Sequence, residues 1–126
     1  MLKKVLIVYV SPHIQYLWSG YGHAFRCAGY EIAEIPFFLT NHSSENNSEI
    51  LVNLLTGRSK NKFDLMVVFD EYEEILKSIK NLIPTKVPVF YVDVFREVKE
   101  VEGLTWFEGL TLPSEIFKEA NKILRR

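Results

Sequence analysis

The chain has 126 residues, 48% of them hydrophobic, a formal net charge of −1 and one cysteine. That length and apolar content suit a single domain, 1–126, with a sizeable core. Near-neutral charge with scattered basic residues argues against nucleic acid or an anionic membrane as partner, and the lone Cys27 excludes a disulfide framework and a cysteine-based zinc site.

The N-terminus places Lys3-Lys4 before an apolar run, superficially like a signal peptide. The run is valine-rich, ends after about six residues and lacks a small-residue cleavage site, so it reads as a strand. No apolar stretch approaches the roughly 20 residues of a membrane span, and a cytoplasmic protein is expected.

The first strand, Lys3–Val10, is apolar on both sides of the pleat, the pattern of a central parallel strand. Ser11-Pro12 then suits a helix start, serine capping and proline standing where no amide donor is needed. Tyr21, Ala24, Phe25 and Ala28 share one helical face within Ile14–Ala28, which Gly29 closes. Gly20 and Gly22 weaken that helix, so it is expected to begin in earnest at Ser19, with 11–18 left as a loop. Cys27 beside Ala28 reads as a buried thiol, and His23, opposite the apolar stripe, as solvated.

The second strand, Glu31–Phe37, alternates with Ile32 and Ile35 inward, and residues 40–48 form a polar loop. Ser48 suits the cap of a helix carrying Leu51, Leu54 and Leu55, closed by Gly57. Phe63–Phe69 is the third strand. Asp70 and Glu73 after it have the spacing of a capping box for a helix burying Ile75, Leu76, Ile79 and Leu82. The fourth strand is Val87–Val94. Residues 95–107 are charged, then aromatic, and a short fifth strand, Leu110–Leu112, precedes a last helix with Ile116, Phe117, Ala120, Ile123 and Leu124 on one face. This alternation predicts an α/β fold: a three-layer α/β/α sandwich around a doubly wound parallel sheet of about five strands, Rossmann- or flavodoxin-like. The expected strand order is 3-2-1-4-5, with a ligand crevice between strands one and four.

Several polar groups converge on the carboxyl ends of these strands: Ser11 and His13, Asp70 and Glu71, and Asp93 with Arg96. Free amides at the start of the first helix are able to hold an anion, and a neutral histidine there is able to act as a base; capping alone equally explains Ser11-Pro12-His13. A small hydrolase or transferase using His13 with Asp93 would need the two within hydrogen-bond reach. Asp70 and Glu71 fit a metal or general-base pair, although a cap accounts for them without a ligand. Asp93 interrupts an apolar strand, and with Arg96 it makes either a structural ion pair or a ligand clamp.

Other sites are excluded. Gly20-Tyr21-Gly22 lies too far from the strand and lacks the third glycine of a dinucleotide fingerprint. A phosphoacceptor receiver needs an acidic pair directly after strand one, where Ser11-Pro12-His13 stand instead. A flavin site would want a Ser/Thr/Gly-rich loop at the same place. No cofactor is therefore expected. Tyr16, Trp18, Tyr21 and Trp106 are able to stack on a sugar or base, but core or interface roles fit them as well.

The runs KKVLIVYVSPH, SGYGHAFRCAGYEIAEIPF, FDLMVVFDE, VPVFYVDVF and GLTLPSEIFKEA together resemble the N-terminal half of GT-B glycosyltransferases, nearest to the spore-maturation type. The resemblance implies an acceptor-side domain in which Ser11–Gly22 faces an interdomain cleft with Asp93 nearby. Ser11, Tyr16, Gly20, Gly22, Asp70 and Arg96 would then contact a sugar or nucleotide-sugar ligand. In that family a second, C-terminal domain holds most of the donor, so these 126 residues alone would not transfer sugar efficiently. A second domain or a homo-oligomer is the implied partner. The alternative is a stand-alone flavodoxin-like small-molecule-binding or protein-interaction module without catalysis. A half-enzyme should expose an apolar or aromatic patch at the strand carboxyl ends, and an independent module should not.

Overall fold

The computed structural model describes residues 3–18, 20–35, 49, 52–53, 56, 58, 62–79, 87–94, 101–109 and 111–124. Five strands form one parallel sheet: β1 (Lys4–Tyr9), β2 (Glu31–Ile35), β3 (Leu65–Asp70), β4 (Val89–Asp93) and β5 (Leu104–Glu108). Among the described residues the helices α1 (Pro12–Trp18), α2 (Gly20–Cys27), α3 (Glu74–Ile79) and α4 (Pro113–Leu124) accompany them. The expected α/β sandwich is the observed architecture.

The strand order is β2-β1-β3-β4-β5, which corrects the expected 3-2-1-4-5. The reason lies in the residues. Leu65–Asp70 and Val89–Asp93 are buried at every position, as interior strands are, whereas β2 carries Glu31 and Glu34 and is only partly buried. Strand three therefore pairs with strand one, Val5 to Tyr9 lying opposite Leu65 to Phe69, and β2 takes the edge. The switch in winding falls between β1 and β3.

The fifth strand is Leu104–Glu108 rather than Leu110–Leu112. Thr105-Trp106-Phe107 are strong strand formers, and Gly103, at φ 89°, makes the turn that admits them. Leu112 instead stands exposed ahead of α4. The loop expected at 11–18 is helical: Ser11 Oγ accepts from the Ile14 amide and its carbonyl from the Gln15 amide, so the cap is used as the sequence suggests.

Alternation along the strands assigns the two faces. Tyr9, Phe69 and Phe90 point toward α2 and α4, where Tyr21 meets the Phe69 edge and Phe25 meets Phe117 with centroids 4.6 Å apart. Asp70 and Tyr91 point to the opposite face, against α3, which buries Ile75, Leu76 and Ile79. Of the predicted stripe Tyr21, Ala24, Phe25 and Ala28, the core receives Tyr21, Phe25 and Ala28, with Phe25 fully buried. The helix leaves Cys27 exposed, its Sγ 3.6 Å from His23 Nε2, which corrects the expectation of a buried thiol. Pro36, the polar loop 40–48, most of the helix expected after Ser48, Leu82 and Arg96 lie outside the described residues.

Candidate functional site at the carboxyl edge of the sheet

Register carries three carboxylates to the same edge. Asp70 ends β3, Asp93 lies opposite it on β4, and Glu108 lies opposite Asp93 on β5. Only Glu108 is exposed; Asp70 has no exposed surface and Asp93 is 6% exposed.

A buried carboxylate must find donors, and Asp70 finds them on both sides. Its Oδ1 accepts from the Glu71 amide at 2.8 Å and the Ile75 amide at 3.1 Å. Its Oδ2 accepts from the amides of Ile75 at 3.0 Å and Leu76 at 3.1 Å, and from the Tyr91 hydroxyl at 2.7 Å. The α3 amides reach back because Tyr72 and Glu73 turn the chain through the left-handed region, at φ 56° and 58°. That conformation costs roughly 1–2 kcal/mol per residue without a glycine. Asp70 thus caps α3 across a tight turn, from five and six residues away, rather than through the expected capping box.

Burial pushes the Asp70 carboxyl above the usual aspartate range; the Tyr91 hydroxyl and then the three amides pull the other way without fully offsetting it. Burial, and next the Asp70 charge, push the Tyr91 hydroxyl upward, so Tyr91 is held as a donor. The Tyr91 ring packs on Trp106 with centroids 4.3 Å apart, which fixes the hydroxyl in place.

The other predicted site residues are dispersed around this edge. Ser11 Oγ is engaged by the Ile14 amide. His13 stands on the exposed side of α1 while Asp93 is buried on β4. Tyr16 is 82% exposed. Gly20 faces open space, whereas a Cβ on buried Gly22 would lie 2.6 Å from Glu34 Oε1, so Gly22 serves close packing of α2 on the sheet. Sequence reasoning missed Tyr91, whose role depends on a cross-strand neighbour, and Gly109. A Cβ on Gly109 would come within 2.9 Å of the Val94 Cα and carbonyl oxygen, so only glycine lets the turn after β5 close against β4. The Gly109 carbonyl accepts from Trp18 Nε1 at 3.2 Å, and the Thr111 carbonyl accepts from the Tyr21 hydroxyl. These bonds tie Gly109 and Thr111 to the end of α1 and the start of α2.

A phosphoryl-accepting site would need an open carboxylate and carboxylates for a divalent cation. The chain leaves β1 as Val10-Ser11-Pro12-His13, which supplies none, and both Asp70 oxygens are engaged. Among the described residues no group of three His, Cys, Asp or Glu side chains is arranged to hold a metal ion. These residues do not fit a cation.

No protein-family model and no curated protein matches the sequence. Solved structures do match the fold. The chemotaxis protein CheY4 of Vibrio cholerae superposes with a TM-score of 0.64 at 16% identity, covering 98% of this chain and 100% of that one. A response regulator receiver domain protein of Bacillus halodurans gives 0.58 at 16% identity over 97% of each chain. The fold is therefore the flavodoxin-like fold of CheY-like receiver domains, which corrects the glycosyltransferase resemblance and the transferase function drawn from it. The runs behind that resemblance are strand and turn punctuation common to doubly wound domains. Among the described residues no helix is long and apolar enough to cross a membrane.

Proposed function

We propose that the chain, as one domain over 1–126, is a receiver-like protein-interaction module that performs no catalysis and takes up no phosphoryl group. It would act in the cytoplasm, on another protein. The observation that carries this reading is the engagement of Asp70: a carboxylate without exposed surface, holding three backbone amides and the Tyr91 hydroxyl, has no oxygen directed at an incoming phosphoryl group. The arrangement uses a carboxylate at the end of β3 to tie down α3. The receiver-like neighbours, described as a response regulator domain and a chemotaxis protein, support a role in protein contact rather than sugar transfer.

Fluoroberyllate with Mg2+ mimics a phosphoryl group on an open aspartate. In a melting experiment on the full chain, the mixture leaves the midpoint where Mg2+ alone leaves it. A specific rise in the midpoint, abolished by Asp70→Asn, would overturn the reading.

A further inference from the structure

The surface helix α1 is reversed in character. Its inner side buries Ile14, while the stripe it turns outward is His13, Tyr16 and Leu17, the last two 82% and 52% exposed. Residues 10–18 contain no Asp, Glu, Lys or Arg, and an outward helical face in water normally carries charge. Two further exposed apolar side chains belong to the same edge. Leu112, 63% exposed, follows Gly109 and Thr111, which Trp18 and Tyr21 tie to the end of α1 and the start of α2. Tyr72, 69% exposed, stands two residues beyond Asp70, and the Val10 amide bonds the Phe69 carbonyl, which brings the start of α1 beside that loop. Large apolar groups gathered at one edge mark a docking surface, which corrects the expectation that only a half-enzyme exposes such a patch, since a module that docks a partner needs one as well.

Among the described residues the charges around them share one sign: Glu71 and Glu108 stand at this edge, and the described residues 10–18, 70–74, 93–94, 108–109 and 111–112 include no Lys or Arg. From this juxtaposition we infer that the α1 stripe, with Tyr72 and Leu112, docks a basic segment of a partner protein that presents apolar anchors among Lys or Arg residues. Apolar anchors seat on Tyr16 and Leu17, and the partner's cations meet the carboxylates at the rim, where they steer encounter and set specificity. This assignment rests on the reading of the chain as an interaction module and names its partner's chemistry.

The test is selection of a random peptide library displayed on phage against the full 126-residue chain. Enriched peptides should combine Lys or Arg with aliphatic or aromatic residues, bind more weakly as salt rises past about 0.15 M, and lose at least about tenfold in affinity on the Tyr16→Ser/Leu17→Ser double variant. Both side chains are exposed, so an unchanged melting midpoint checks that the variant is folded. A second variant, Glu71→Lys/Glu108→Lys, should weaken the same peptides without touching the apolar stripe. The inference is overturned by acidic or uncharged consensus peptides, by equal binding to the double variant, or by a library that yields no binder. Self-association that the double variant abolishes would overturn it too, by making a second copy the occupant. Phosphoryl uptake at Asp70 ends the underlying reading; peptides that bind elsewhere on the chain end only this assignment.

Discussion

The Tyr91 hydroxyl on β4 donates to the Asp70 carboxylate on β3 at 2.7 Å, across two strands whose pairing sets Asp70 opposite Asp93. This one bond joins the central sheet to the cap of α3. Tyr91→Phe keeps the ring on Trp106 and removes only the donor, so it should cost about 1.5–3 kcal/mol, the range for a hydrogen bond to a charged group. Asp70→Ala should cost more, because the amides of Ile75 and Leu76 lose their acceptor as well. Urea denaturation checks the ranking through the midpoints; a Tyr91→Phe midpoint equal to that of the parent would remove the bond from the account.

The raised native pKa of Asp70 makes stability depend on pH in a definite direction. Above an unfolded-state pKa of about 3.9, the native protein holds the Asp70 proton more tightly than the unfolded chain does. This group's contribution is therefore fully present below that pKa and is lost as pH rises through the native pKa. Melting midpoints across an acid-to-neutral series should fall less steeply with rising pH in Asp70→Asn than in the parent. Parallel curves would show that Asp70 titrates alike in both states.

Much of the fold was legible because burial leaves a pattern. Val5–Val10 and Leu65–Phe69 are apolar on both sides of the pleat, and Tyr21, Phe25 and, just past the helix, Ala28 mark the face that packs on the core. The strand order required weighing those patterns against each other: Glu31 and Glu34 mark β2 as an edge, a contrast that places β3 beside β1. Asp70 was legible as a cap but not as a buried one. Its saturation depends on Tyr91, 21 positions away, and on left-handed Tyr72 and Glu73, which no local spacing announces. The short aromatic strand β5 was hidden by the charged residues before it.

Two glycines should respond in opposite ways. Gly109→Ala drives a Cβ to 2.9 Å from the Val94 backbone, which has no flexible end to move, and should cost at least about 1 kcal/mol as an overpacked site. Gly20→Ala meets nothing within 4 Å and should be neutral or stabilise α2 by up to about 1 kcal/mol. Equal midpoints for the two variants in thermal melts would contradict the packing described at the β5 turn.

Tyr9 buries its hydroxyl with no hydrogen-bond partner among the described residues, its ring stacked on Phe69 with centroids 5.5 Å apart. Burial and the nearby Glu34 carboxylate push that hydroxyl's pKa upward. Tyr9→Phe keeps the stacking and removes a desolvated polar atom, so the midpoint should hold or rise, by about 1 kcal/mol at most. A loss larger than that would reveal a bond to the hydroxyl.

The central claim is that Asp70 is a structural cap and not a reactive carboxylate. The most direct measurement is the intact mass of the full chain after incubation with acetyl phosphate and Mg2+. The account predicts a single unmodified mass, unchanged by time or donor concentration. A species heavier by one phosphoryl group, lost in Asp70→Asn and restored to the parent mass on mild base treatment, would contradict it.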